Sequence, residues 1–330
     1  MKKIVVAAAV VLLVTASLFA GGAKEKSAVL VGVSKFLSHP ALDAVEQGMQ
    51  DYLTSVGQSV RFDFQNANAE GSASAQIAQK FKSDRVDIAV GIATPTAQAL
   101  VNVLPDRPVV FSAVTDPLEA GLVTTYDLGY ADNVTGVSDM TPVESQIELL
   151  IKLTGAKTIG NIYASGEANG VILMEQTKAA AQKLGVGFVG AAVANTAEVK
   201  QAAQSIINRV DALYIATDNT VMSALPSVDD VAKQARVPLM TADPSNVEGT
   251  DFLVAWGFDY YKIGLATGKV VHQLIEGKKA GDIGTVFLSD PADFELWINL
   301  DAAKSLGITI PTDVQSNAAV VIENGQKIVQ

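Results

Sequence analysis

Cysteine is absent from the chain's 330 residues. Disulfides, thiolate catalysis and cysteine-ligated metals are excluded, and a lipid anchor carried on an N-terminal cysteine is not expected. Histidine is nearly as scarce, with only His39 and His272. A Ser-His-Asp triad would have to use one of them, and no G-x-S-x-G elbow is present. H-E-x-x-H and the P-loop are missing, as is EF-hand spacing among the acidic residues. No enzyme activity, cofactor or metal is expected. Positive charge is in deficit, with 24 Lys and Arg against 35 Asp and Glu and a net charge of −11. Nucleic acid and anionic membranes need clustered basic groups, so neither is an expected partner.

What is present is a well-filled globular chain. Hydrophobic residues make up 49% and charged residues 18%, and the length allows two domains. The N-terminus is a separate segment. Met1-Lys2-Lys3 is basic, residues 4–20 are uncharged and mainly apolar, and Gly21-Gly22-Ala23 is small. This is the three-part pattern of a secretory signal peptide, with cleavage expected near Ala20 to Ala23. The run approaches the shortest length that spans a bilayer, so an uncleaved anchor is the alternative. The expected location is the periplasm or the extracellular face of the membrane.

Beyond the leader, short apolar runs alternate with helical patterns. AVLVGVSKF (28–36), VDIAVGIA (86–93), PVVFSAV (108–114), TIGNIYAS (158–165) and DALYIAT (211–217) are strands of near-continuous hydrophobicity. That is the signature of a parallel sheet covered on both faces. The segments 41–57, 72–84, 140–153, 167–185 and 260–277 are helical. The helix from Thr220 to Arg236 is expected to break or restart at Pro226. AVVIENGQKIV (319–329) reads as a hairpin turning at Asn324-Gly325.

One stretch has an echo. Residues 86–100 read VDIAVGIATPTAQAL and residues 210–225 read VDALYIATDNTVMSAL. Each is followed by a strand ending in Asp-Pro, at Asp116-Pro117 and Asp243-Pro244. Ligands bind beyond the carboxyl ends of parallel strands, where helix N-termini offer free amide groups. The first copy presents neutral hydroxyls, Thr94, Thr96, Ser112 and Thr115, suited to a carboxylate. The second presents Asp218 and Asn219, with Glu167 and Asn169 after a neighbouring strand, suited to an ammonium. Ser, Thr, Asp and Asn at helix starts are also ordinary N-caps. Asp116 and Asp243 either cap turns or face the cleft. His39 is compatible with a ligand contact and with a loop cap. Phe36, Tyr163, Trp256, Tyr260 and Tyr261 lie near strand ends or crossings, where they would either enclose an apolar side chain or ring or, individually the commoner case, belong to the core.

The strings SHPALDAVEQGMQDYL, QNANAEGSASAQIAQKF, VDIAVGIATPTAQAL, PVVFSAVTDPLEAGLV, NVTGVSDMTPVESQIELL, EANG, VDALYIATDNTV and WINLDAAKSLGITIP occur in order over residues 28–312. Together they resemble the ABC transporter substrate-binding proteins whose characterised members take up tryptophan and related aromatic amino acids. The resemblance implies an α/β, two-lobed periplasmic-binding-protein fold of type I. Each lobe would be a parallel sheet flanked by helices, with three interlobe crossings. The expected division is 1–22 signal peptide, 27–138 lobe one, 139–256 lobe two, 257–290 a return to lobe one, and 291–330 the final crossing and C-terminal segment. The resemblance puts the cleft at His39, Thr94, Thr115, Asp116, Glu167, Asn169, Asp218 and Asn219. It implies a small amino-acid ligand such as tryptophan, tyrosine or phenylalanine, and a membrane permease and ATPase as partners, with the chain itself a monomer. Two positions depart from the family's usual residues: Lys35 stands for Gln and Gly170 for Ser. The alternative role is an envelope ligand sensor of the same fold that signals to a membrane receptor.

Overall fold

The computed structural model describes residues 28–130 and 133–330; the predicted signal peptide lies outside them. The chain opens with β1 (Val29–Lys35), α1 (Pro40–Ser55), β2 (Val60–Asn66), α2 (Gly71–Asp84), β3 (Ile88–Ile92), α3 (Thr94–Val103), β4 (Val109–Val114) and β5 (Val134–Ser138). It continues with α4 (Val143–Thr154), β6 (Thr158–Ala164), α5 (Ala168–Lys183), β7 (Gly187–Val193), α6 (Val199–Ile206), β8 (Ala212–Ile215), α7 (Asn219–Ser223), α8 (Leu225–Ala235), β9 (Leu239–Thr241) and β10 (Val254–Phe258). The last part holds α9 (Tyr260–Ile275), α10 (Ala280–Ile283), β11 (Thr285–Phe287), β12 (Phe294–Asn299), α11 (Leu300–Leu306), α12 (Thr312–Ser316), β13 (Val320–Glu323) and β14 (Gln326–Val329).

These strands form two sheets. The first has the order β11-β5-β4-β3-β1-β2, and the second β14-β13-β12-β10-β9-β8-β6-β7. The chain therefore leaves the first sheet after β5, returns to it after β10 and leaves it again after β11. The first sheet is parallel throughout. The second is mainly parallel, but β12 runs antiparallel to β10 and β14 antiparallel to β13. Residues β3 and β4 contribute are buried without exception, as their unbroken apolar runs require. The outer strands β2 and β7 alternate instead, because one of their faces meets solvent.

The Asn324-Gly325 turn joins β13 to β14, with Glu323 paired to Gln326 and both turn residues at positive φ. That is the backbone a two-residue hairpin needs. Pro226 lies in the first turn of α8, where its missing N–H costs nothing, and the helical segment is split at Ala224. A G-x-G-x-x-G string occurs at Gly185, Gly187 and Gly190. It leads out of α5 into β7, the reverse of the strand-to-helix order that cradles a dinucleotide.

One hydrophobic core fills lobe one and includes Phe258, Tyr260, Ile263, Val270 and Val271 from the returning segment. Two more cores lie on lobe two, one centred on Leu213, Ile215 and Phe252, the other on Tyr214, Met240 and Ile298. Helix α9 packs on α1 at backbone distance. A Cβ on Gly48 would stand 2.3 Å from the Tyr261 carbonyl, and one on Gly264 2.3 Å from the Val45 carbonyl. Near the crossings, buried Gln146 donates to Thr141 Oγ1 (2.6 Å) and the Trp256 carbonyl (2.5 Å) and accepts from Tyr214 (2.6 Å). The segment entering lobe two is thereby tied to the strand that leaves it.

Candidate ligand-binding site

A cavity of about 310 Å³ lies between the sheets. Lobe one contributes His39, Ala41, Leu42, Ala113 and Thr115; lobe two contributes Asn169, Thr217, Asp218, Asn219, Met222 and Asp243. Asp139 and Tyr260, at the first two crossings, complete the wall.

Each side chain reaches the cavity for a local reason. His39 precedes Pro40, which opens α1, so the ring stands at a helix N-terminus. It is 7% exposed, and neither ring nitrogen has a hydrogen-bond partner. Burial pushes its pKa below 6.5, opposed by the charge of Asp243. Asn219 lies beside the ring without completing a hydrogen bond. Ala113 has φ 52° and marks a register shift between β4 and β5. Such a bulge re-aims the strand end, and Ala113 and Thr115 both face the cavity.

On lobe two, Asp218 caps α7. Its Oδ1 accepts from Val221 N (2.9 Å), and its Oδ2 accepts from Ala164 N (2.6 Å). Gly170 makes room for it, since a Cβ there would stand 2.3 Å from Oδ2. Burial, and then the Glu167 charge, push the Asp218 carboxyl up to about 8. Glu167 reaches across to α7, accepting from Thr220 N (2.9 Å), Thr220 Oγ1 (2.6 Å) and Asn219 Nδ2 (2.5 Å). Asn169 donates to the Thr217 carbonyl (3.1 Å), and its Oδ1 has no partner. Asp243 accepts from Ser245 N and Oγ at 2.8 and 2.6 Å, and burial raises its carboxyl against the opposing pull of His39.

The first crossing supplies Asp139. It is 3% exposed, and its Oδ2 accepts from the Tyr260 hydroxyl at 2.9 Å. Its Oδ1 has no partner. Burial raises the carboxyl to about 6, while the Tyr260 hydrogen bond holds it from rising further.

Six of the candidates read from the sequence meet at the cavity: His39, Thr115, Asn169, Asp218, Asn219 and Asp243. Five do not line it. Thr94 is buried in the first turn of α3. Thr96 bonds back to the carbonyls of Ile92 and Ala93. Ser112 is hydrogen-bonded to Thr267 of α9 at 2.6 Å. Asp116 caps its own turn, accepting from Leu118 N and Glu119 N, and also from Tyr126. Glu167 sits behind Asn219, saturated with donors. Among the aromatics only Tyr260 lines the cavity. Phe36 is in the lobe-one core, Tyr261 is surface-exposed and bonds Asp51, and Trp256 packs beside Leu149 and Leu296 on lobe two. Sequence reasoning did not place Asp139, Thr217 or Met222 at the site.

Among the described residues, no cluster of His, Asp and Glu is arranged to hold a metal, and no helix is long and apolar enough to cross a membrane. Comparison with known proteins adds three relatives. A tyrosine-binding protein of Clostridioides difficile (strain R20291) is 35% identical over 281 residues, 84% of this chain and 80% of that protein. A Streptococcus pneumonia ABC domain in complex with L-Trp superposes with a TM-score of 0.85 at 36% identity, covering 90% of this chain and all of that one. A ligand-free, open substrate-binding protein from Clostridium difficile gives 0.65 at 33% identity, over 86% of this chain and 97% of that one. At nearly equal identity, the chain fits the L-Trp complex better than the open structure. The family model described as ABC transporter substrate binding protein matches residues 30–322, and the chain belongs to that family.

Proposed function

We propose that the chain is the extracytoplasmic receptor of an ABC importer and that its ligand is an amino acid with an aromatic side chain. One observation carries the reading. Of the eight buried side-chain polar atoms without a partner among the described residues, five line this one cavity: both His39 nitrogens, Asp139 Oδ1, Asn169 Oδ1 and Thr217 Oγ1. Buried polar groups are normally satisfied, so a cluster of exceptions marks where a polar ligand supplies the partners.

The cluster has two chemical ends. His39 and the amide groups at the start of α1 suit a carboxylate, favoured there by the positive end of the helix. The acceptor oxygens of Asp139 and Asn169 suit an ammonium. Ala41, Leu42, Ala113, Met222 and the Tyr260 ring provide apolar wall for a side chain. The tyrosine-binding relative and the L-Trp complex support an aromatic one. The leader pattern of residues 1–23 supports export, and family membership supports delivery to a membrane permease and its ATPase. Lobe closure over the ligand would generate the form that docks.

Titration calorimetry against the twenty amino acids tests the reading. Tryptophan, tyrosine or phenylalanine is expected to bind most tightly. Binding of a sugar or nucleoside with no amino acid bound would overturn it.

A further inference from the structure

Three acidic side chains line the cavity, Asp139, Asp218 and Asp243, with Glu167 behind Asn219, and they differ in what their oxygens already hold. Glu167 accepts from Thr220 and Asn219. Asp218 has both oxygens on backbone amides, of Ala164 and Val221. Asp243 accepts from both Ser245 N and Ser245 Oγ. Asp139 alone keeps an oxygen that is buried and unpartnered, the single such carboxylate oxygen among the described residues. No Lys or Arg lines the cavity to neutralise it. An unpaired charge in that position is costly, and a donor with positive charge relieves it best.

We propose that Asp139 Oδ1, at the first crossing, receives the ligand's α-ammonium group, and that Asp218 is a positioning residue that shapes the lobe-two wall. The assignment rests on the amino-acid reading of the cavity. It also places charge recognition in the hinge. Asp139 follows β5, its amide donates to the Val114 carbonyl at 3.3 Å, and its other oxygen holds Tyr260 at the second crossing. The cationic group of the ligand would thus dock on the segments about which the lobes turn.

The test pairs each aromatic amino acid with its des-amino analogue: L-tyrosine with 3-(4-hydroxyphenyl)propionate, and L-tryptophan with 3-(indol-3-yl)propionate. Affinities are measured by calorimetry for the full-length wild type, D139N and D218N. Wild type should prefer the amino acid over its analogue. D139N should lose about 100-fold in affinity for the amino acid, as expected for removing one partner of a buried charge pair, while keeping its affinity for the analogue. D218N should keep the wild-type ratio between the two ligands. Without ligand, D139N should melt no lower than wild type, because a buried unpaired charge has been removed. A D139N protein that retains the amino-acid preference overturns the assignment, as does a D218N protein that abolishes it; the second result stands even if D139N does not fold. A wild type that binds no amino acid overturns the functional reading instead.

Discussion

Asp218 and Gly170 compete for one space. The carboxylate sits where a side chain on residue 170 would begin, and it is held there by two backbone amides. Gly170→Ser should displace it, break the bond to Ala164 N and lower stability by about 1–3 kcal/mol, the usual cost of overpacking a buried site. Urea unfolding measures this; an unchanged midpoint would mean the carboxylate has another place to go. A serine here would require a different carboxylate position from the one seen. Residue-level reading has a clear limit at the two Asp-Pro pairs. Asp116 and Asp243 end similar strands, yet Asp116 is consumed by its own turn and by Tyr126, while Asp243 faces the cavity. The dipeptide carries no sign of which way the loop folds. Asp139 shows the same limit, since its deciding partner, Tyr260, is 121 residues away.

Helices α1 and α9 cross with glycine on both sides of the contact. Gly48 meets the backbone of Tyr261 and Gly264, and Gly268 meets Met49 and Tyr52. Gly48→Ala should push the two helices apart and cost about 1–3 kcal/mol, because backbone cannot yield as a flexible side chain does. A urea midpoint within error of wild type would show that the crossing tolerates a methyl group. At this scale the sequence was most readable. The buried strands announce themselves by unbroken apolar runs, the hairpin by Asn324-Gly325, and the split helix by Pro226. Elements that were missed include β5, α10, β11 and α12, which are 5, 4, 3 and 5 residues long. Such lengths leave no room for periodicity, and their conformation is set by the sheet or surface they join. Thr96 and Ser112 were read as lying at or near strand ends, but Thr96 falls inside α3 and Ser112 inside β4, and which face such a residue presents depends on bulges and helix docking that no short window records.

The whole molecule carries a pH signature from these buried groups. The folded state holds Asp139 at about 6 and Asp218 at about 8, both raised by burial from 3.8. A carboxyl raised in the folded state contributes stability that is complete below its unfolded pKa and is lost as pH rises through its folded pKa. His39 works in the opposite sense, since its folded value lies below 6.5 and its contribution is lost as pH falls. Above pH 6.5 the imidazole is mostly neutral in both states, which leaves the carboxyls to act alone. Ligand-free protein should therefore become less stable between about pH 6.5 and 8.5, read as a falling melting temperature at constant ionic strength. A flat or rising profile would contradict the buried placement of Asp218.

The glycine-lined crossing also decides how recognition is divided. Helix α1 begins next to His39, helix α9 begins at Tyr260, and Tyr260 holds Asp139. With the two helices at backbone distance, the imidazole, the tyrosine and the Asp139 carboxylate stand together on one side of the cavity. Asn169, Thr217 and Asn219 form the other half, built on the stitched loops of lobe two. Under the proposed function, the solute would be registered first on the His39 half, and the second half would supply the seal.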